Sequence, residues 1–275
     1  MSVNRKLNLD VIDDVAKKVK KEENFLFYMY VTVRKKEATF YGQYEDEELI
    51  GVLAYTDQLP FPAFSFLPIN RDVVDFRSLL AFATVDLDLN PGEIGGTILT
   101  GKDKELLGQQ LELTGQPIDF ITMRHVDKSK LISATDIERV KEIDYDACAT
   151  FIKKNGMNYF LAAELETNPF CAIKQEGEFV SVGGFHFFDK QLVELGNIMT
   201  CPSNRGKGYA KAVTSELVRI GLHCSPNVYL SVLAHNKAAV RLYETLGFDV
   251  FFQAYMIEFP IGKERLSLSL KYSFY

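Results

Sequence analysis

Arg205-Gly206-Lys207-Gly208-Tyr209-Ala210 is the stretch on which the reading of this chain turns. An apolar, strand-like run from Leu192 to Thr200 precedes it, and an amphipathic run from Ala210 to Ile220 follows. A glycine-rich turn between a strand and a helix makes an anion cradle. Glycine lets the backbone come close, and the unpaired N–H groups of the first helical turn point at the ligand. The arrangement recurs downstream. His235-Asn236-Lys237-Ala238-Ala239-Val240-Arg241-Leu242-Tyr243-Glu244-Thr245-Leu246-Gly247-Phe248 reads as a strand end, a helix and a glycine stop. Two such units in this order point to a held nucleotide-like cofactor. Arg205, Lys207, Lys211 and Lys237 gather positive charge at the two helix starts.

The remainder of the composition sets bounds. With 275 residues, 47% hydrophobic and 25% charged, the chain has enough apolar material for about two ordinary domains. No apolar run approaches the roughly 20 residues of a membrane helix, and the charged N-terminus shows no apolar signal core, so a cytoplasmic protein without membrane partners is expected. A net charge of -6 argues against general nucleic-acid binding. The four cysteines (Cys148, Cys171, Cys201, Cys224) lack paired spacing and read as free thiols of a reducing compartment. His125, His186, His223 and His235 are scattered, so no metal is expected.

Hydrophobic patterning predicts a helix over Asp10–Lys21, strands over Phe25–Arg34, Ala38–Tyr44 and Leu49–Tyr55, and a break at Pro60, Pro62 and Pro68. A helix over Arg71–Phe82, a strand over Thr97–Thr100, a helix over Asp103–Leu113 and a strand over Asp119–Arg124 follow. The second half reads as helix Asp136–Lys154, strands Phe170–Lys174, Glu178–Phe188 and Leu192–Thr200, helix 207–220, strand Val228–Leu233, helix 237–246 and strand Val250–Phe259. Leu266, Leu268, Leu270 and Tyr272 alternate as one more strand.

The halves also align by residue. Pro68-Ile69-Asn70-Arg71 matches Pro202-Ser203-Asn204-Arg205, and Asp103-Lys104-Glu105-Leu106-Leu107 matches Asn236-Lys237-Ala238-Ala239-Val240, at nearly one offset (68 to 202, 103 to 236). In the first copy Asp72 and Val74 replace Gly206 and Gly208, and Gln110 stands in place of Tyr243. A carboxylate and a β-branched side chain block a phosphate, so the first copy keeps a fold without its site. Gly96-Thr97-Ile98-Leu99-Thr100-Gly101-Lys102-Asp103 nearly fits a phosphate-binding loop. Its last residue is a carboxylate where a hydroxyl is needed, which excludes nucleotide hydrolysis as the reading.

In its second half the chain resembles the GNAT-type acetyl-CoA-dependent N-acetyltransferase superfamily. Arg205, Gly206, Gly208 and Ala210 match the pyrophosphate loop, and Asn236, Ala239, Leu242, Tyr243, Gly247 and Phe248 match the second motif. The close resemblance covers about residues 170 to 259. It implies an α/β (α+β) fold of two tandem acetyltransferase-like domains, 1–130 degenerate and 131–275 binding acetyl-CoA. Each domain is a mixed, mostly antiparallel twisted sheet flanked by helices. It further implies that backbone groups of Ile198, Met199 and Thr200 pair with the pantetheine. The Arg205, Gly206, Lys207, Gly208, Tyr209 and Ala210 turn holds the diphosphate, and Tyr243 protonates the leaving thiolate.

The residues allow rival readings. Asn236 and Tyr243 are seven apart, two helical turns, and share a face. Asn236 is either a plain N-cap or a cap whose amide also reaches the cofactor. Tyr243 is either a core aromatic or the acid. Arg205 is a surface charge or a phosphate neighbour. Glu194, on the strand feeding the site, is the best base candidate, acting through water, or else a salt-bridged or edge-exposed carboxylate. Cys201 reads as a spectator thiol for want of a histidine partner. The expected function is transfer of acetyl from acetyl-CoA to a primary amine of a small molecule or peptide. The alternative is a non-catalytic acyl-CoA-binding sensor or interaction protein.

Overall fold

The computed structural model describes residues 2–21, 23–59, 61–157 and 160–262; the strand expected at Leu266–Tyr272 lies outside them. The chain divides into two compact units. The first comprises residues Met1–Pro117 and Ile257–Tyr275, the second Ile118–Met256. The division thus falls at 117/118 and again at 256/257, rather than once at 130/131. The last strand returns residues from 257 onward to the first unit, a long-range pairing that local pattern does not encode.

The first unit holds β1 (Val3–Lys6), α1 (Leu9–Lys18), α2 (Phe25–Val31), β2 (Thr39–Glu45), β3 (Glu48–Thr56), β4 (Ala63–Pro68), α3 (Phe76–Asp86), β5 (Ile94–Thr100), α4 (Gly101–Gln110) and the start of β6 (Thr114–His125). Its strands run in the order β1-β2-β3-β4-β5, antiparallel except for the parallel β4–β5 pair. The second unit holds the rest of β6, β7 (Glu138–Arg139), α5 (Tyr145–Lys154), α6 (Glu164–Thr167), β8 (Phe170–Gln175), β9 (Glu178–Phe188), β10 (Val193–Thr200), α7 (Tyr209–Cys224), β11 (Val228–Leu233), α8 (Lys237–Thr245) and most of β12 (Phe248–Pro260). Its order is β12-β6-β11-β10-β9-β8-β7; β10–β11 is parallel, and the β6–β11, β9–β10, β8–β9 and β7–β8 pairs are antiparallel.

The two units share one plan: a hairpin, a third strand, a helix, a strand parallel to the third, and a second helix. The hairpins even use the same two-residue turn. Asp46 and Glu47 both have positive φ, as do Glu176 and Gly177, the backbone that matches strand twist in a tight hairpin. The first core gathers Ile12, Phe27, Tyr30, Phe40 and Val52. In the second unit α7 lies on one sheet face with Val213, Leu217, Val193, Leu195 and Phe185. α5 and α6 cover the other face with Cys148, Ile152, Leu165 and Val182.

Three expectations need correction. Phe25–Arg34 is not a strand: Phe25–Val31 is a helix, and six of its seven residues are buried. A short unbroken apolar run carries no period, and burial on every side decided it. The helix expected from Asp136 begins at Tyr145, because Glu138–Arg139 pairs with β8 through Ala172 and Cys171. The proline-broken stretch carries β4; Pro68 is its last residue, opposite Gly51. Among the described residues no helix is long and apolar enough to cross a membrane.

Gly247 closes α8 at φ 84°. Its carbonyl accepts from the N–H groups of Val126 and Asp127, and an added Cβ would meet the Asp127 carbonyl oxygen at 2.4 Å. Left-handed backbone and overlap act together, so Gly247→Ala is expected to cost about 2 kcal/mol or more. A urea titration of the full chain checks this by a lowered midpoint.

Candidate active site

The site begins where two parallel strands part. β10 and β11 pair only at Val193↔Val228, Glu194↔Tyr229 and Leu195↔Leu230. Beyond them β10 stays with β9, through a register shift between Gly196 and Met199. Asn197, inside that shift, has φ 54°; a bulge of this kind bends a strand away from its neighbour. Ile198 packs toward the α7 core and Met199 toward the α5–α6 core. The Met199 carbonyl accepts from Ser181 Oγ at 2.9 Å, and that hydroxyl also meets Thr200 Oγ1 at 2.9 Å. The strand end is therefore braced from β9.

The chain then makes a short turn at Pro202–Asn204 and enters α7 through Arg205-Gly206-Lys207-Gly208, all four exposed. Gly206 and Gly208 have φ 78° and 85°, values that glycine adopts without strain. A Cβ at either would meet nothing within 4 Å. Among the described residues, no carbonyl or side chain takes up the N–H groups of residues 206–211; the first to bond is Ala212, to the Gly208 carbonyl at 3.0 Å. Gln175 of the hairpin steadies the turn. It accepts from Asn204 Nδ2 at 3.1 Å and donates to the Tyr209 hydroxyl at 2.5 Å. Arg205 Nε donates to the Thr200 carbonyl at 3.4 Å. Free amides, the positive end of a sixteen-residue helix and nearby Arg205 and Lys207 make an anion site.

In the first unit the same position is filled from within. The N–H of Asp75 is taken by Gln43 Oε1 at 2.7 Å, that of Phe76 by Gln110 Oε1 at 2.7 Å, and that of Ser78 by Asp75 Oδ1 at 3.0 Å. Gln110 also donates to the Val74 carbonyl at 2.7 Å. Val74 is buried, its side chain pressed over Gly51. Asp103 is buried against Arg71 and Thr100, so the near-match at 96–103 presents no phosphate cradle.

α8 carries the second motif. Asn236 caps it, accepting from Ala239 N–H at 3.2 Å, and is itself exposed. Tyr243, two turns on, is 8% exposed and packs edge-on to Phe248 at 5.9 Å. Burial pushes its phenol up to about 12. Among the described residues its hydroxyl has no hydrogen-bond partner. The ring is thus a core aromatic whose polar end is left over. Glu194 is 7% exposed and accepts from Ser231 Oγ at 2.9 Å, and Ser231 meets Thr122 Oγ1 at 3.2 Å. It stands at the closed end of the split and, among the described residues, is neither salt-bridged nor edge-exposed. Ser203 holds the Cys201 thiol below its ordinary range, with Lys154 and Arg205 adding to this. No group of three metal-ligating side chains exists among the described residues.

Sequence reading missed the polar residues that brace or face the split: Gln175, Ser181, Glu164, His186, Asn197 and Ser231. None sits in a motif; cross-strand register brings them in.

The model of the acetyltransferase (GNAT) family matches residues 137–248, which contain the parted strands, the open turn and α8. Residues 137–248 are a GNAT acetyltransferase domain. Family membership implies acyl transfer from an acyl-CoA. Solved structures similar in fold extend the likeness over both units. A GCN5-related N-acetyltransferase from Sphaerobacter thermophilus is 14% identical, with 94% of this chain and 96% of that one covered and a TM-score of 0.66. An acetyltransferase from the GNAT family of Colwellia psychrerythraea is 17% identical, covering 94% and 99%, TM-score 0.63. A tandem GNAT protein from the clavulanic acid biosynthesis pathway, solved without AcCoA, is 9% identical, covering 96% and 100%, TM-score 0.65. No curated protein matches the sequence.

The GNAT domain's open turn sets a clear expectation. Gly208→Val puts a strained β-branched residue where the amides must stay open. It should weaken CoA binding by roughly two orders of magnitude or more, about 2.7 kcal/mol. Titration calorimetry on the full chain, with circular dichroism as the folding control, reads this.

Proposed function

We propose that this protein transfers an acetyl group from acetyl-CoA to a primary amine of a small molecule or peptide, and that the second unit carries out the reaction. The observation that carries this reading is the row of unclaimed N–H groups at 206–211, at the end of strands that part. The diphosphate of the donor sits on those amides, with Arg205, Lys207, Tyr209 and Ala210 around it. The pantetheine arm runs along Ile198, Met199 and Thr200, and Asn236 lies at the start of the second helix. Acetyl-CoA supplies the activated acyl group as a thioester. Four unpaired thiols fit a cytoplasmic setting. The first unit serves as a degenerate partner domain, its own helix start closed by Gln43, Asp75 and Gln110.

Three groups have roles in the chemistry. The amine arrives as an ammonium and must lose a proton before it attacks. Glu194, fixed by Ser231, places a carboxylate where that cation approaches. The tetrahedral oxygen needs a donor, and a backbone N–H near Met199 is the simplest. The departing thiolate is met by the Tyr243 hydroxyl, kept protonated by burial.

Two measurements test the proposal. A mass-spectrometric screen of primary amines with acetyl-CoA should give an acetylated product, whereas CoA binding without any turnover would favour an acyl-CoA sensor. Tyr243→Phe should lower kcat about 10- to 100-fold with the acetyl-CoA Kd unchanged. Because the phenol stays protonated until pH nears 12, the variant should keep the wild-type shape of the pH profile between about pH 6 and 10.

A further inference from the structure

Gly196 is the first β10 residue beyond the β10–β11 pairs. It lies on the sheet face opposite α7, since its neighbour Leu195 points into the α7 core. The side chain it lacks makes room for His186 of β9: a Cβ at position 196 would meet the His186 Cβ at 2.9 Å and its ring Nδ1 at 3.6 Å, so the imidazole packs over the glycine. His186 Nδ1 stands 3.6 Å from Glu164 Oε2 of α6, the His186 side chain 37% exposed and the Glu164 side chain 16%. The same carboxylate oxygen accepts from Asn197 Nδ2 at 3.1 Å. Asn197 is the left-handed residue of the bulge, so the irregular backbone that splits the strands also delivers the amide that fixes Glu164. Glu194, two residues back on β10, lies on the same face and is tied to Ser231.

Two carboxylates and one part-exposed imidazole on one sheet face, at the point where the strands part, suit a cation that must lose a proton. We propose that the acceptor ammonium binds beside the His186 ring, between Glu194 and the Glu164–His186 pair, and that the imidazole of His186 takes its proton; this rests on the acyl-transfer reading above. An imidazole, with an ordinary pKa of about 6.5, is a better-matched acceptor at neutral pH than a carboxylate near 4. Of the described carboxylates, Glu164 from α6 stands beside the ring and Glu194 from β10 lies on the same sheet face, and negative charge there favours the imidazolium that forms. Glu194 then draws and orients the cation, while Glu164 and Asn197 act as positioning residues for the ring.

The step balances without a further reagent. One N–H bond of the ammonium breaks and its proton passes to the ring. The neutral nitrogen attacks the thioester carbonyl, a C–N bond forms and the C–S bond breaks. The second proton shed by nitrogen as the amide forms ends on the departing sulfur. The ring returns its proton to solvent.

The test compares full-length wild type, His186→Gln, Glu164→Gln and Glu194→Gln. Acetyl-CoA binding is followed by calorimetry. Turnover is followed over a range of pH with a diamine, an arylalkylamine and a lysine-containing peptide. His186→Gln should bind acetyl-CoA within twofold of wild type, lose about 100-fold in kcat, and lose the rise of kcat/KM with pH on the acid side. Glu164→Gln should keep that rise but move it to lower pH, because removing the carboxylate makes the imidazolium easier to deprotonate. A structural role for either side chain moves neither limb. If His186→Gln keeps the wild-type kcat and acid limb, or if Glu194→Gln alone abolishes the limb, the assignment of His186 is overturned and acyl transfer stands. If wild type binds no acetyl-CoA, or acetylates none of the amines, the underlying reading is overturned, and this assignment with it.

Discussion

The second unit's function depends on an unmade set of hydrogen bonds. Every helix begins with N–H groups that have no partner inside it, and proteins ordinarily supply one from a nearby side chain or from water. Among the described residues, neither Gly208 nor any neighbour does so at α7. The turn is held from the side instead, by Gln175 bridging Asn204 and Tyr209, which fixes the shape and leaves the amides facing outward. The bulge at Asn197 and the parting of β10 from β11 matter to the proposed reading because they open the sheet beside that spot. The positive φ values at Gly206 and Gly208 matter because they aim the amides at it.

The first unit shows what the same frame becomes once those bonds are made. Gln110 occupies the place of Tyr243 in the repeat and closes its own helix start, with help from Gln43 and Asp75. Val74, in the place of Gly208, is driven into the core against Gly51. A single glycine-to-valine difference accounts for the filled space, and the tyrosine-to-glutamine difference for one of the satisfied amides, that of Phe76. Fold and site are separable here: the strand order and tight hairpin persist after the anion site has gone.

The sequence made much of the second unit legible for a physical reason. β9 and β11 alternate or run apolar between strong turn residues, and their limits match expectation at every end. The 205–210 turn was visible because glycine at such spacing has few other uses. α2 was not legible, since seven apolar residues in a row carry no period. The closing of the first unit by residues beyond 256 was hidden because it depends on pairing across most of the chain. His186 and Glu164 were hidden for a related reason. They lie 22 positions apart, on a strand and a one-turn helix, and only the register of β9 against β10 brings them to Gly196. Glu194 was found from its strand, but its partner Ser231 belongs to the next strand over.

The most direct test is backbone amide NMR on the isotope-labelled full chain during titration with acetyl-CoA. The N–H signals of residues 206–211 should move downfield and lose hydrogen exchange as a diphosphate takes up their protons, while those of residues 75–78 stay in place. Shifts at 75–78, or acetyl-CoA binding that leaves 206–211 unmoved, would contradict the claim that open amides at the start of α7 hold the donor.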